Sequence, residues 1–224
     1  MKDAGSTRLS VVRALRSTLF ITLRTDVVQP TARSATQAVH DYTGIVKVEW
    51  SPERGQDVDL TALSAMTNLD VEGFVPEVDS LLPKTLVIPV GRGEFVTADL
   101  QAPDCWEELD SRGHDLGLVG RALLGEGFDL AELRAAFELV HMRAVIVNSM
   151  EIDPEWRGAK LGLLATELAI RELGKGADVA ALFPMKLGLA DLAERAAANR
   201  ALSGFWGHLG FVEFNGIMVR DLTR

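Results

Sequence analysis

Hydrophobic and polar positions along this chain follow two periods, which predict strands and helices in alternation. Strand patterns at residues 17–27 and 44–50 flank a helical candidate at residues 30–42. Two later strands are expected on either side of a turn at Gly91–Gly93, because glycines at this spacing favour a change of chain direction. The first half is therefore predicted to mix strands with helices.

The middle of the chain is predicted to be mostly helical. Apolar residues recur at helical spacing in residues 115–124 and 129–140, and Asp129 is placed to cap the second helix. A long strand is expected to begin near Met142 and to end at Ile152, where Pro154 follows and cannot extend a ladder.

Strand and helix alternate more regularly after this point. The helix Gly158 to Leu173 is amphipathic and is predicted to end at Gly174 in the left-handed conformation. A strand at residues 177–183, a helix within residues 199–210 and a last strand from Phe211 follow. This alternation favours a sheet with helices packed on its faces.

Composition narrows the class of protein. The 224 residues are 47% hydrophobic and 25% charged, which is ordinary for a globular chain, and neither repeats nor a linker divide it, so a single domain is expected. One cysteine excludes an intramolecular disulfide. Arginines interrupt the N-terminal apolar segment, so we expect no signal peptide and a cytoplasmic location.

Charge and hydropathy argue against two kinds of partner. The net charge is -9 and the basic residues are scattered, so no nucleic-acid partner is expected. Apolar runs fall short of the roughly 20 residues that a spanning helix needs, so no membrane role is expected. The four histidines and the cysteine lack ligand spacing, and no metal site is predicted.

The junction from Ile152 to Ala165 carries the most specific chemistry. A strand ends here, and the sequence Arg157 to Gly162 opens a helix with small residues in its first turn. The first amide groups of a helix have no intrahelical acceptor, and the helix dipole favours negative charge at that end. The junction is therefore predicted to bind an anion such as phosphate.

This junction resembles the acetyl-CoA loop of the GCN5-related N-acetyltransferases (GNAT). That loop has Arg or Gln, two variable residues, Gly, one variable residue, and Gly or Ala. The matching residues are Arg157, Gly158, Ala159, Lys160, Leu161 and Gly162, with Lys160 in place of a glycine. A second family motif is matched by Asn199, Phe205, Trp206, Leu209, Gly210 and Phe211. The resemblance covers roughly residues 142–222.

The resemblance implies an α/β (α+β) fold: a GNAT-like mixed, mostly antiparallel central sheet with helices on both faces and a splayed pair of parallel strands. It implies one domain over residues 1–224, in which 141–224 bind acetyl-CoA and the extended half 1–140 holds the acceptor site. Within that half, the polar segment Cys105 to Asp115 is a candidate for contact with the acceptor.

The resemblance also places the cosubstrate. The pantetheine arm would bond to the backbone of the strand Asn148 to Ile152, including Met150 and Ile152, and the pyrophosphate would lie on the amides of Arg157 to Gly162. Asn199 and Trp206 would complete the site. Lys160 has two interpretations: a solvated residue that weakens the loop, or a cation beside the phosphates.

Catalytic groups are harder to assign. Many relatives place a tyrosine acid where this chain has Trp206, and Tyr42 is the chain's single tyrosine. The strand face of Ala144, Ile146, Asn148 and Met150 carries no base, and Glu151 has the opposite strand parity. The remaining candidates are His141, His208 and Glu151.

The predicted function is therefore an acetyl-CoA-dependent N-acetyltransferase that acts on a primary amine of a small molecule or peptide within a ternary complex. A missing base does not exclude this, because holding the reactants together supplies roughly 7 to 11 kcal/mol and a general base only about 10² to 10⁴ in rate. A non-catalytic acyl-CoA-binding or sensor module is the alternative, and a partner-binding domain is a third. A homodimer is left open.

Overall fold

Seven strands and seven helices lie within the residues that the computed structural model describes, which are 4–25, 38–51, 58–67, 85–125, 127, 130–184 and 192–223. The strands are β1 (Leu19–Thr25), β2 (Val39–Trp50), β3 (Leu86–Asp99), β4 (Arg143–Ile152), β5 (Val179–Leu182), β6 (Val212–Phe214) and β7 (Ile217–Asp221). The helices are α1 (Ala4–Leu15), α2 (Leu60–Thr67), α3 (Cys105–Arg112), α4 (His114–Leu124), α5 (Ala131–Ala136), α6 (Leu161–Leu173) and α7 (Leu192–Gly207).

The strands form a seven-stranded sheet in the order β1-β2-β3-β4-β5-β7-β6. β4 and β5 are parallel, whereas β5 with β7 and β6 with β7 are antiparallel. The expected mixed fold, with a mostly antiparallel sheet and one parallel pair, is thereby confirmed.

The parallel pair is buried on both faces. Ala144 to Val147 of β4 and Val179 to Leu182 of β5 are all buried, in contrast to the alternating burial of β3. A strand covered on both faces contains a continuous apolar run, which is how these two segments are composed.

The chain divides into two compact units, each assembled from three separate stretches. Unit 1 comprises Met1–Thr22, Gly44–Arg92 and Met150–Leu168, and unit 2 comprises Leu23–Thr43, Gly93–Ser149 and Ala169–Arg224. In unit 1, apolar residues of α1, β2, β3 and the start of α6 form a core around Val12, Val48 and Leu161. In unit 2, a second core gathers Leu109, Leu123 and other residues of α3, α4 and the central strands.

Three local predictions are wrong. β3 runs straight through Gly91–Gly93, where a turn was expected, and β2 begins at Val39, inside the helical candidate at residues 30–42. Gly174 is not left-handed, since it is not among the residues with positive φ, and Gly176 takes a positive φ of 79° instead.

Other predictions agree with the structure. The strand from Met142, the helices at 115–124 and 158–173, and a left-handed Gly210 with φ of 82° are observed with small shifts of their ends. Asp129 and residues 30–37 lie outside the described residues. Among the helices described, none has the length and apolar character needed to cross a membrane.

Candidate functional site

β4 extends beyond its pairing with β5. The parallel register joins Ala144 to Val179 and ends where Val147 meets Leu182, the last residue of β5. β4 continues through the five residues Asn148 to Ile152 with no further register partner on β5 among the described residues. The two parallel strands therefore separate after Val147, on the side of β4 that faces β5.

The same part of β4 contains a β-bulge. The amide of Asp153 donates to the Val90 carbonyl, and the amide of Leu100 donates to the Met142 carbonyl. Val90 and Leu100 are ten residues apart along β3, whereas Met142 and Asp153 are eleven residues apart along β4. β4 therefore carries one extra residue.

Side-chain pairs locate the bulge and correct the parity argument for Glu151. The Asn148 side chain donates to Glu94, and the Arg92 side chain donates to Glu151. The two residues on β4 are three positions apart, whereas their partners on β3 are two positions apart. Arg92 and Glu94 are two residues apart and share a strand face. The extra residue therefore brings Glu151 onto the face of Asn148, and the expectation of opposite faces is wrong.

The turn after β4 folds back on the strand through an arginine. A 3₁₀ turn, Pro154–Trp156, follows Asp153, and Trp156 is buried in the unit 1 core. The Nε of Arg157 donates to the Ile152 carbonyl at 2.7 Å. This charge-assisted bond closes the turn and fixes the guanidinium at the entrance to α6.

At the start of α6, six consecutive backbone amides have no acceptor among the described residues. Within the described chain, no backbone or side-chain acceptor is recorded for the amides of Gly158, Ala159, Lys160, Leu161, Gly162 and Leu163. The first intrahelical bond at this end runs from the Leu164 amide to the Lys160 carbonyl, at 3.2 Å. Amides in such a row attract an anion, and the positive end of the helix dipole adds to the attraction.

Two residues of the turn have left-handed backbone. Gly158 has φ of 101° and Lys160 has φ of 58°. Lys160 therefore holds the conformation that a glycine adopts without cost, at an expense of roughly 1–2 kcal/mol for a side-chain-bearing residue. Its side chain is exposed and has no recorded ion pair among the described residues.

Gly162 lies directly over the end of β4. A Cβ atom at this position would be 3.5 Å from Cγ1 of Ile152 and 3.7 Å from Cγ of Met150. The three predicted contact residues Met150, Ile152 and Gly162 are thus together in unit 1, beside the free amides. The first turn of α6 rests on the strand with no side chain of its own at the point of contact.

Asn199 and Trp206 both lie on α7, in unit 2. Trp206 is half-buried and makes edge-on contacts with Phe205 and Phe211, at centroid distances of 5.1 and 6.2 Å. The predicted aromatic motif is thus a packed cluster. An indole NH donates hydrogen bonds but is too weak an acid to protonate a thiolate, so Trp206 supplies no acid.

The three candidates for a catalytic base have other contacts or lie elsewhere. His141 is exposed and precedes β4, and His208 is exposed with Nδ1 2.9 Å from the Gly204 carbonyl. Glu151 forms an ion pair with Arg92, with 3.1 Å between Oε2 and Nη2. Of these three, Glu151 lies on the part of β4 that β5 does not cover.

Sequence reasoning missed Glu94. Its Oε2 accepts a hydrogen bond at 3.1 Å from Nδ2 of Asn148, the first residue of β4 beyond the pairing with β5. The strand face that seemed to lack a carboxylate therefore has one, contributed by the neighbouring strand. Exposed Glu94 lies between buried Gly93 and Phe95, and this alternation is typical of a strand. The glycines suggested a turn instead, and for that reason Glu94 was missed.

The polar segment Cys105 to Asp115 has mainly structural contacts. Glu108 accepts from the amides of Ala38 and Val39, and Arg112 donates to Asp41 at 3.0 Å, so α3 is fixed to the start of β2. Trp106 lines a cavity of about 310 Å³ near Leu100 and Leu130 in unit 2. A role of this segment with the acceptor stays a prediction.

The part of the chain that the structure describes contains no group of three or more His, Cys, Asp or Glu side chains able to hold a metal ion.

Comparisons with protein-family models, with curated proteins and with solved structures give no match.

Proposed function

We propose that this chain binds acetyl-CoA at the turn after β4 and transfers the acetyl group to a primary amine. The observation that carries the proposal is the row of backbone amides from Gly158 to Leu163, which have no acceptor among the described residues and lie beside the cationic side chains of Arg157 and Lys160. A pyrophosphate carries charge and acceptor oxygens in the arrangement that such a row favours. Within the family the chain resembles, this position holds the pyrophosphate of acetyl-CoA.

The end of β4 supports the same ligand. A pantetheine arm contains two amide groups, which bond to an open strand edge as a peptide does. β4 offers such an edge beyond Val147, and the five residues to Ile152 span about 13–16 Å at the usual rise of a strand. That length suits the arm between pyrophosphate and thioester, so strand edge and turn fit one extended molecule.

Lys160 is a second cation for the phosphates in this proposal. Its backbone is left-handed, the geometry that a glycine adopts most readily, so the turn accommodates the lysine in place of a glycine. Its exposed ammonium has no recorded partner among the described residues and is available to an anion. The structure thus favours the functional interpretation of Lys160 over that of a residue that weakens the loop.

Catalysis in this proposal depends on positioning. Acetyl-CoA supplies an activated acyl group whose leaving thiol, by analogy with cysteine, has a pKa of about 8.5, so departure as a thiolate is feasible near neutral pH. A dedicated acid at the position of Trp206 is therefore dispensable. Alignment of amine and thioester supplies most of the barrier reduction.

A non-catalytic acyl-CoA-binding module is the second candidate. The packing of Trp206 between Phe205 and Phe211 favours it, because the position that many GNAT relatives give to an acid is structural here. Both candidates require CoA to bind at the same turn.

Two measurements test the proposal. Isothermal titration should show CoA and acetyl-CoA binding in the micromolar range, and absence of binding at millimolar ligand contradicts both candidates. A panel of primary amines with detection of released CoA thiol then separates them. Turnover on any amine supports the transferase, and binding without turnover supports the sensor module.

A further inference from the structure

The helices α3, α4 and α5 connect the neighbouring strands β3 and β4, and this connection contains a cavity of about 310 Å³. All the described residues that line the cavity lie between positions 100 and 134, within unit 2. The volume is at the lower end of the roughly 300–1,000 Å³ that small-molecule sites usually have. The lining includes Leu100, Leu124, Leu130 and Trp106, together with the charged residues Glu107 and Arg134.

The apolar part of the lining belongs to the core of unit 2. Leu124 and Leu130 are both buried in this core, and the Leu130 amide donates to the Leu124 carbonyl at 3.3 Å. Leu130 has a φ of 61°, a strained conformation that persists only where the surrounding packing holds it. The Arg121 guanidinium lies 5.9 Å from the ring centroid of half-buried Trp106 and steadies the indole. The apolar wall is therefore preformed.

The two charged residues of the lining come from different helices, Glu107 from α3 and Arg134 from α5, and both are exposed. Within the described chain no ion pair is recorded for either, so they do not pair with each other. The recorded side-chain contact of Arg134 is a weak one, from Nη2 to Sδ of Met142 at 3.9 Å. The cavity thus presents one positive and one negative group to a ligand.

This pair of opposite charges restricts the chemical class of the ligand. A ligand with only a negative charge would be attracted by Arg134 and repelled by Glu107, and a ligand with only a positive charge would experience the reverse. A zwitterion satisfies both residues, because a guanidinium binds a carboxylate with two parallel hydrogen bonds and a carboxylate accepts from an ammonium. The leucines and the indole favour an apolar substituent on that zwitterion.

We propose that this cavity binds a small apolar α-amino acid, such as leucine or phenylalanine. Arg134 binds its carboxylate, Glu107 binds its ammonium group, and its side chain packs against Trp106 and Leu130. The cavity is a binding site of its own in unit 2, and the proposal does not depend on the binding of acetyl-CoA at the turn after β4.

Isothermal titration of the full chain with L-phenylalanine and its single-charge analogues tests the ligand class. Phenethylamine lacks the carboxylate, and 3-phenylpropanoate lacks the ammonium group. L-phenylalanine should bind with a Kd below about 1 mM. Each analogue should bind about tenfold more weakly or worse, because it loses a charge-assisted hydrogen bond and keeps an unfavourable charge contact. Glycine, which lacks an apolar side chain, should bind more weakly than phenylalanine.

Two variants assign the charges to their residues. Arg134→Gln should weaken phenylalanine binding by about tenfold or more and should bind phenethylamine at least as tightly as the wild type, because a repulsive charge is removed. Glu107→Gln should likewise weaken phenylalanine binding and should bind 3-phenylpropanoate at least as tightly. Arg200→Gln and Glu213→Gln are the matched controls, because these exposed side chains have no recorded hydrogen bond or ion pair among the described residues.

Circular dichroism verifies that the variants are folded, and ligand-observed NMR measures the weaker analogues. Loss of phenylalanine binding in Arg134→Gln and Glu107→Gln, with opposite effects on the two analogues, supports the proposal. Phenylalanine binding that both variants retain, equal affinities for phenylalanine and its analogues, or no binding of phenylalanine by the wild type at millimolar concentrations overturns it. Each of these results stands whether or not the protein binds CoA.

Discussion

Gly91 of β3 lies so close to Glu151 of β4 that a side chain at position 91 would overlap the Glu151 carbonyl oxygen. A Cβ atom there would also be 2.9 Å from Cδ1 and 3.1 Å from Cα of Ile152. Because two of these three neighbours are backbone atoms, they cannot move without shifting β4. The glycine therefore allows the close approach of β3 to the end of β4 beside the bulge.

Gly91→Ala should destabilise the protein by about 1–3 kcal/mol, the usual cost of forcing an extra methyl group into a packed site. Urea denaturation gives the difference in the free energy of unfolding. Gly113→Ala is the matched control, since a Cβ at Gly113 meets nothing within 4 Å, and its effect should stay within about 0.5 kcal/mol. Equal losses in the two variants would contradict the close approach.

Asp178 supports a pH prediction. Burial by itself raises the pKa of this carboxyl, but hydrogen bonds from the amides of His141, Val140 and Arg143 lower the pKa by more than burial raises it. The pKa of Asp178 is therefore below its ordinary value of 3.8. Its stabilising contribution is therefore complete above that value and is lost as the pH falls through the lower folded-state pKa.

Asp178→Asn should lower the free energy of unfolding by about 2–3 kcal/mol at pH 7, because the buried amides lose a charged acceptor. Urea midpoints at pH 7, 5, 4 and 3 measure the effect. The difference from wild type should be constant between pH 7 and 5 and should shrink in acid. A difference that grows on acidification would have the wrong sign for this account.

Cys105 should be unreactive in the folded protein. Burial first, and then the negative charges of Asp99 and Glu108, raise the pKa of this thiol to about 12. The reactive thiolate is scarce at pH 8, and the side chain is inaccessible. A thiol reagent should label none of the native protein and all of the urea-unfolded protein, so released CoA can be counted without background. Labelling at the same rate in both states would disprove the burial.

Thr166 of α6 is fully buried, and its hydroxyl has no hydrogen-bond partner among the described residues. Thr166→Val keeps the shape of the side chain and removes the unsatisfied group, so it should stabilise the protein by about 1 kcal/mol. Thermal denaturation measures the gain. Thr166→Ser keeps the hydroxyl, loses a methyl group and should destabilise; a loss in the valine variant would show that the hydroxyl has a partner.

Strongly periodic elements were predictable from the sequence, whereas features set by neighbouring strands were not. α4, α6 and β4 were expected within a few residues because their apolar periods are long and unbroken. The passage of β3 through Gly91 depends on how closely Glu151 approaches, which no local pattern records. The bulge was equally unpredictable, because counting alternate residues assumes an unbroken strand. It brings Glu151 onto the face of Asn148, where the count had placed the two on opposite faces.

The candidate site divides in the same way. The free amides after Arg157 were expected, because a glycine-bearing helix start leaves its donors exposed whatever packs around it. The carboxylate Glu94 was missed, because it comes from the strand before β4 and meets Asn148 only through the sheet register. The left-handed backbone of Lys160 also needed the structure, since lysine rarely adopts that conformation.

Binding of CoA at the turn after β4 is tested most directly by isothermal titration of the wild type, Lys160→Glu and the control Lys175→Glu. Lys160 and Lys175 are both exposed, so each charge reversal leaves the core intact. The account predicts micromolar CoA affinity for the wild type and the control, and a loss of at least tenfold for Lys160→Glu. Equal affinity in all three proteins, or no binding by the wild type at millimolar CoA, would contradict it.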